Sequence, residues 1–417
     1  MKVIIVGANY NNKGAQSMLY VTVSEIKKSY PDCEVYFATH EYIDDGNLKF
    51  KRLLYTYQSK KIALSDGLYF VLYTGYVFIK SHLKNLFKKG TNFKSLIELK
   101  KILPSINAII DVSGFALGER FSIENQKKYL DNIYLAKKYD IPMYLMPQSF
   151  GPFENNVEEE EIIEDIKSLL RYPRIIFARE REGYNILKND FKLDNVVSST
   201  DLVLQNSGVK TNEIFINEPN LKIPSINTEK KVSVAIVPNE KCFKHGNREN
   251  ILYLYKRMIE LLLDAGKVIY VFRHSREDLK ICISIKEMFS KNENVKLLEN
   301  EFSCFEYEEL IKNFDFVICS RFHGIVHAYR NGIPCIALGW SIKYRELTRN
   351  VGQGDYAFDI ISGEINYEKI LGALENIMKV SDTESENIKK RVAEIQKDNC
   401  FDLVRHDIEN IPHSRKN

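Results

Sequence analysis

Arg321 and His323, in the run Ser320-Arg321-Phe322-His323-Gly324, are the pair whose types and spacing point most directly to chemistry. A fixed guanidinium beside an imidazole at a helix start suits a small anion that also needs a proton moved. The plainer reading is an arginine paired with a carboxylate and a histidine that is only solvated. Arg179, in Phe177-Ala178-Arg179-Glu180, has the same placement after an apolar run and before a helix. His274, in Phe272-Arg273-His274-Ser275, and Lys343, in Gly339-Trp340-Ser341-Ile342-Lys343, follow two more such runs. Each reads either as an anion or acceptor ligand or as an ordinary polar turn or surface residue.

Other chemistries find less support. His323 and His327 stand four apart, as helical zinc pairs do, but Gly324 occupies the place of the general-base glutamate and no third ligand is evident. No metal or other cofactor is expected, and His327 reads as a packed helix residue. The chain has no Asp-x-Asp triplet, no glycine-lysine phosphate loop and no Gly-x-Ser-x-Gly elbow, which weakens metal-dependent nucleotide-sugar, nucleotide-hydrolysing and serine-hydrolase readings.

Composition narrows the partners. The 59 Lys and Arg against 56 Asp and Glu leave +3, so no global field invites nucleic acid. The 7 scattered cysteines include no C-x-x-C pair and read as reduced thiols of a cytoplasmic protein. Met1-Lys2 leads straight into Val3-Ile4-Ile5-Val6 without a secretory apolar stretch of sufficient length.

Positioning these side chains requires a regular alternation of strands and helices, and the chain supplies it. Short Val- and Ile-rich runs separated by helical segments predict parallel sheets, whose ligands bind beyond the carboxyl ends of the strands. Residues 1–204 read as one Rossmann-like domain, 205–230 as a polar linker with Pro219 and Pro224, and 231–380 as a second Rossmann-like domain. The tail, 381–417, reads as a charged amphipathic helix folding back on the first domain. The predicted class is α/β, two Rossmann-like domains with a cleft between them. The first turn, from Gly7 through Asn11 and Asn12 to Gly14, lacks the glycine spacing of a dinucleotide site. Its asparagines suit sugar hydroxyls or simply satisfy turn backbone.

Residues 47–103 break the alternation. Gly67 to Ile79 is apolar and aromatic, too short to cross a bilayer, and is followed by a run of lysines as far as Lys101. The stretch 67–101 reads either as a peripheral contact with the inner face of an anionic membrane or as a helical insertion with a solvated basic face.

In order and spacing, Gly7 to Gly14, Pro147-Gln148-Ser149-Phe150-Gly151-Pro152, Phe177-Ala178-Arg179-Glu180, Ser199-Thr200-Asp201, Ser320 to Gly324 and Gly332-Ile333-Pro334 through Lys343 resemble the polysaccharide pyruvyl transferase family. The resemblance spans residues 1–45 and 105–355 and implies a GT-B-like fold. It further implies transfer of a pyruvyl group from phosphoenolpyruvate to a sugar of a cell-surface polysaccharide or its lipid-linked precursor, as a ketal. By position, Arg321 and His323 match the family's Arg-x-His element and Arg179 its earlier arginine. The resemblance thus implies Arg321 and a cationic His323 as catalytic groups. With it, Arg179 and Arg321 are expected around the donor, joined by Phe322, His274 and Lys343 from their strand-end placement, and Asn11, Asn12, Ser113 and Gln148 on the acceptor side. Gly14-Ala15-Gln16 and Ser113-Gly114-Phe115 depart from the family pattern on that acceptor side. A GT-B glycosyltransferase using a nucleotide sugar and a non-catalytic glycan-binding relic remain the alternatives.

Overall fold

A computed structural model of the protein describes residues 1–10, 12–85, 93–153, 157–227, 232–339 and 341–411. Among the described residues, fourteen strands form two sheets. The first has the order β3-β2-β1-β4-β6-β7-β8, with β1 Lys2–Val6, β2 Glu34–Thr39, β3 Lys51–Leu54, β4 Ala108–Asp111, β6 Met143–Phe150, β7 Ile175–Ala178 and β8 Val196–Ser198; β5, Phe115–Leu117, pairs with the end of β6. The second has the order β11-β10-β9-β12-β13-β14, with β9 Ser233–Val237, β10 Val268–Phe272, β11 Val295–Leu298, β12 Phe316–Cys319, β13 Cys335–Gly339 and β14 Ala357–Asp359. All these strand pairs are parallel.

Parallel strands buried on both faces explain why the apolar runs are continuous rather than alternating. Val3 and Ile5 pack into one core cluster while Ile4 and Val6 enter another on the opposite face. In both sheets the chain starts centrally, steps outward, then crosses to the other side, reversing between β1 and β4 and between β9 and β12. Loops diverge at such reversals and open a crevice. The turns carrying Asn12 and Ser113 leave one crevice, and the Ser320–Gly324 turn leaves the other.

The two halves share a core. One cluster runs from Val3, Leu19 and Phe37 to Val237, Phe272 and Tyr329, and the helix Lys13–Ser29 packs on the helices Cys304–Ile311 and Phe322–Arg330. Tyr20 stacks on Phe305 with ring centroids 5.4 Å apart. A 29-residue helix, Tyr367–Ile395, leads to the helix Cys400–Asn410. There Asp407 accepts hydrogen bonds from Arg174 (2.6 and 2.9 Å) and Tyr144 Oη (2.8 Å), tying the chain end to the first sheet.

Part of the segment 47–103 belongs to the sheet. Lys51-Arg52-Leu53-Leu54 is edge strand β3, paired with Tyr36 to Thr39; one polar half of an edge strand faces water, which hides it from apolar pattern-reading. Three helices follow, Tyr57–Leu64, Gly67–Asn85 and Phe93–Ile102. Among the described residues no helix is long and apolar enough to cross a membrane.

Candidate active site

β12 delivers its chain end at the second sheet's reversal, and Arg321 is the N-cap of the helix Phe322–Arg330. Among the described residues no side chain caps that helix, so its first backbone amides face the cleft side unclaimed, a disposition suited to an anion. Arg321 itself is not the free anion ligand expected. Its Nε donates to Asp278 Oδ2 (2.8 Å) and its Nη2 to Glu277 Oε1 (2.6 Å), with a further contact to Asp278 Oδ1. The turn after β10 closes as a capping box between Ser275 and Asp278, which aims both carboxylates at the arginine. Burial opposes the guanidinium charge, but Asp278 and Glu277 outweigh it and raise the pKa.

Arg179 is occupied in the same way. It donates to Glu180 Oε1 (2.9 Å), Asp201 Oδ2 (3.1 Å) and Ser149 Oγ (2.7 Å), and its guanidinium lies 4.3 Å from the centroid of Phe322. Both arginines thus have two carboxylates each, so neither brings surplus positive charge to a ligand. Phe322 serves as the platform between halves: Arg179 from the first sheet, and His323 and Lys343 from the second, all lie against its ring.

His323 reaches across the cleft, its Nε2 3.6 Å from Asp201 Oδ2. Burial depresses its pKa to about 4 despite the opposing pull of Asp201. The imidazole is therefore neutral near pH 7, not the cation expected, because desolvation outweighs one carboxylate already shared with Arg179.

Lys343 is the amine that the arginines' carboxylates leave unclaimed among the described residues. Its Nζ lies 5.5, 5.4 and 5.8 Å from the ring centroids of Phe115, Phe322 and Tyr344. Among the described residues no carboxylate pairs with it. Burial first, and the Arg179 charge second, lower its pKa to about 7. An ammonium held by ring faces keeps its hydrogen-bond donors for an incoming anion.

His274 departs from its expected role. It is 2% exposed, sits edge-on to Tyr307 at 5.0 Å, and burial followed by the Lys13 charge drives its pKa well down. Its Nε2 has no partner among the described residues, so it is a neutral ring inside the interface. His327 packs as a helix residue, with Nδ1 against Glu308 and Nε2 3.0 Å from Ser17 Oγ of the opposite half.

On the acceptor side, Asn11 lies outside the described residues. Asn12 Oδ1 caps the helix Lys13–Ser29 by accepting from Gly14 N (3.0 Å) and Ala15 N (3.3 Å), which is the turn-satisfying role rather than the sugar-facing one. Gln148 is 1% exposed, with Oε1 accepting from Tyr129 Oη at 3.3 Å, so β6 buries it beneath the crevice. Ser113 remains half-buried at the reversal, its amide donating to Asp111 Oδ1 at 2.9 Å. Its hydroxyl stands where Gly7 lacks a side chain, 2.1 Å from the place a Cβ would take.

Two functional candidates escaped the sequence reading. Asp201 joins Arg179 to His323; its only signal was a Ser-Thr-Asp turn just past β8. Lys13 sits inside an asparagine-rich turn, yet is 4% exposed and crosses the interface to donate to the His274 carbonyl (2.8 Å), with burial lowering its pKa to about 8.

The model of the polysaccharide pyruvyl transferase family matches residues 12–342. The chain belongs to that family. The matched span begins at the Asn12 cap and ends one residue before Lys343, so it holds nearly all of the cleft just described. No curated protein matches in sequence. Solved structures match in fold: a point mutant of S. aureus TarM, in complex with fondaparinux, α-GlcNAc-glycerol and UDP, has a TM-score of 0.58 at 11% identity, covering 98% of this chain and 100% of that one. The UDP-GlcNAc 2-epimerase from Neisseria meningitidis bound to UDP-GlcNAc gives 0.54 at 14% identity, with 98% and 100% covered. The glycotransferase of kitacinnamycin gives 0.53 at 13% identity, with 99% and 98% covered. This family member is therefore GT-B-like in fold, and its Arg-x-His element marks where the two halves meet.

Proposed function

We propose that this transferase moves a pyruvyl group from phosphoenolpyruvate onto two hydroxyls of one sugar, in a cell-surface polysaccharide or its lipid-linked precursor, as a ketal. The observation that carries the reading is the arrangement around Phe322: an ammonium free of carboxylates on one edge, and on the other an imidazole whose carboxylate comes from the opposite half. A small donor with carboxylate and phosphate close together suits Lys343 and the uncapped helix start at Phe322, with no metal required. The paired arginines shape the pocket rather than neutralise the donor.

A neutral His323 takes the proton of the first sugar hydroxyl. The resulting imidazolium, stabilised by Asp201, delivers it to the methylene carbon of the donor, which becomes the methyl group. The central carbon is thereby made electrophilic, and the sugar oxygen bonds to it. The second hydroxyl then bonds to the same carbon as the carbon–phosphate oxygen bond breaks, and its proton leaves with phosphate. One hydroxyl proton ends on carbon and one on phosphate, so the sum is balanced. Such a donor places the reaction in the cytoplasm.

The second reading, transfer from a nucleotide sugar, has the fold in its favour, since TarM and the Neisseria epimerase hold UDP or UDP-GlcNAc. Thermal-shift titration with phosphoenolpyruvate, UDP and GDP separates them, because the true donor fragment stabilises the native chain in proportion to its occupancy. Stabilisation by phosphoenolpyruvate with phosphate release on adding acceptor supports pyruvyl transfer. A response to a nucleotide alone overturns it, and silence toward all three leaves a glycan-binding relic.

A further inference from the structure

The helix Gly67–Asn85 is apolar around its whole circumference where its side chains are described, and a small cluster of described residues packs on one side of it. Val77 is buried, with Phe70 and Tyr73 beside it, against a small cluster of Leu54, Ile62 and Leu96. The opposite side carries Leu68, Val71, Leu72 and Ile79, between 60% and 73% exposed. No charge interrupts the 13 residues from Gly67 to Ile79. A helix apolar on all sides belongs in a core or in lipid, and contiguous exposed apolar patches of this kind mark interaction surfaces.

Charge identifies the partner. Residues 57–102 contain nine lysines against Asp66 and Glu98. Asp66, next to the helix start, is neutralised internally by Lys100 and Lys138. Lys60 is buried against Asp131 and Lys100 is held by Asp66, so among the described residues Lys61, Lys94 and Lys101 stand against the single remaining acid Glu98, a basic balance that complements phospholipid headgroups of negative charge. Tyrosine and phenylalanine among the exposed residues suit the boundary between headgroups and acyl chains. The helix Gly67–Asn85 starts at the amino edge of the first sheet, where Asp66 meets Lys138, and runs to the carboxyl edge, where Val77 packs with Leu54 at the end of β3, the same edge as the cleft.

We infer that this helix lies in the surface of an anionic bilayer and holds the cleft near it. The inference goes beyond the pyruvyl-transfer reading and does not need it, since the binding requires no donor. The test is sedimentation of the full chain with vesicles of phosphatidylcholine alone and of phosphatidylcholine with about 30% phosphatidylglycerol, at low and high salt. Binding at least tenfold greater to the anionic vesicles, weakened by salt, is expected. Leu72→Glu with Ile79→Glu, on the exposed side and away from the cleft, should abolish binding while circular dichroism and the melting temperature stay unchanged. Lys94→Glu with Lys101→Glu should reduce it and remove the lipid-charge preference. No binding by the intact chain overturns the inference. So does a concentration-dependent dimer in solution that the Leu72→Glu, Ile79→Glu chain loses, for then the patch is covered by a second copy.

Discussion

A Cβ placed on Gly14 would stand 2.3 Å from Cγ and Nδ1 of His323, so the first helix of one half and the imidazole of the other meet with no side chain between them. Gly14 has an ordinary negative φ, and space rather than backbone freedom selects glycine here.

Gly14→Ala should therefore separate folding from activity. Alanine is the better helix former by about 1 kcal/mol, which offsets some of the crowding, while the ring must move from Asp201. The expected result is a melting temperature within a few degrees of the parent and phosphate release reduced at least tenfold. Full activity would show that the imidazole position is not needed.

Lys343→Met keeps an unbranched chain against Phe115, Phe322 and Tyr344 but removes the charge. Donor affinity should fall at least tenfold, about 1.4 kcal/mol, with stability unchanged. Because the parent lysine titrates near pH 7, phosphoenolpyruvate should bind the parent more weakly at pH 9 than at pH 7. Isothermal titration of the Met variant should show that pH dependence flattened.

His323 makes an acid-sensitive contribution to stability. Its pKa is about 4 in the folded chain against an ordinary value near 6.5. Between those values the unfolded chain binds more protons, so stability falls as pH drops through this window and is unaffected well above it. The loss from this group reaches about 2 kcal/mol by pH 5. Urea denaturation should show His323→Gln losing less stability between pH 7 and pH 5 than the parent.

Arg179→Met should destabilise the fold by about 3 kcal/mol, because it leaves Glu180 and Asp201 buried without their partner. The freed Asp201 would then favour protonated His323, and the imidazole proton signals in NMR should titrate at higher pH than in the parent. An unchanged titration would mean that Asp201 does not act on the ring.

The alternation of apolar runs, the two parallel sheets and the strand-end location of Arg179, His274, Arg321, His323 and Lys343 were all legible in the chain. Strand period, helix period and turn chemistry are local properties, and parallel sheets place functional loops at one edge by topology. Edge strand β3 was hidden because half of it faces water.

The charge state of the site was decided by tertiary contacts alone. Arg179 and Arg321 read either as anion ligands or as partners of carboxylates until the fold brings Asp201 and Asp278 to them from 22 and 43 residues away. Asn12 reads as a sugar contact or a turn cap, and Gln148 as an acceptor contact, until a helix cap and a buried strand claim them. His323 reads as a cation until burial makes it neutral, and Lys13 reads as a turn lysine until it crosses to the other half. Sequence determines which groups are available at the sheet edge. Which of them remain unpaired, and which keep their charge, depends on desolvation and on partners distant in the chain, and these exist only once the two halves have closed on each other.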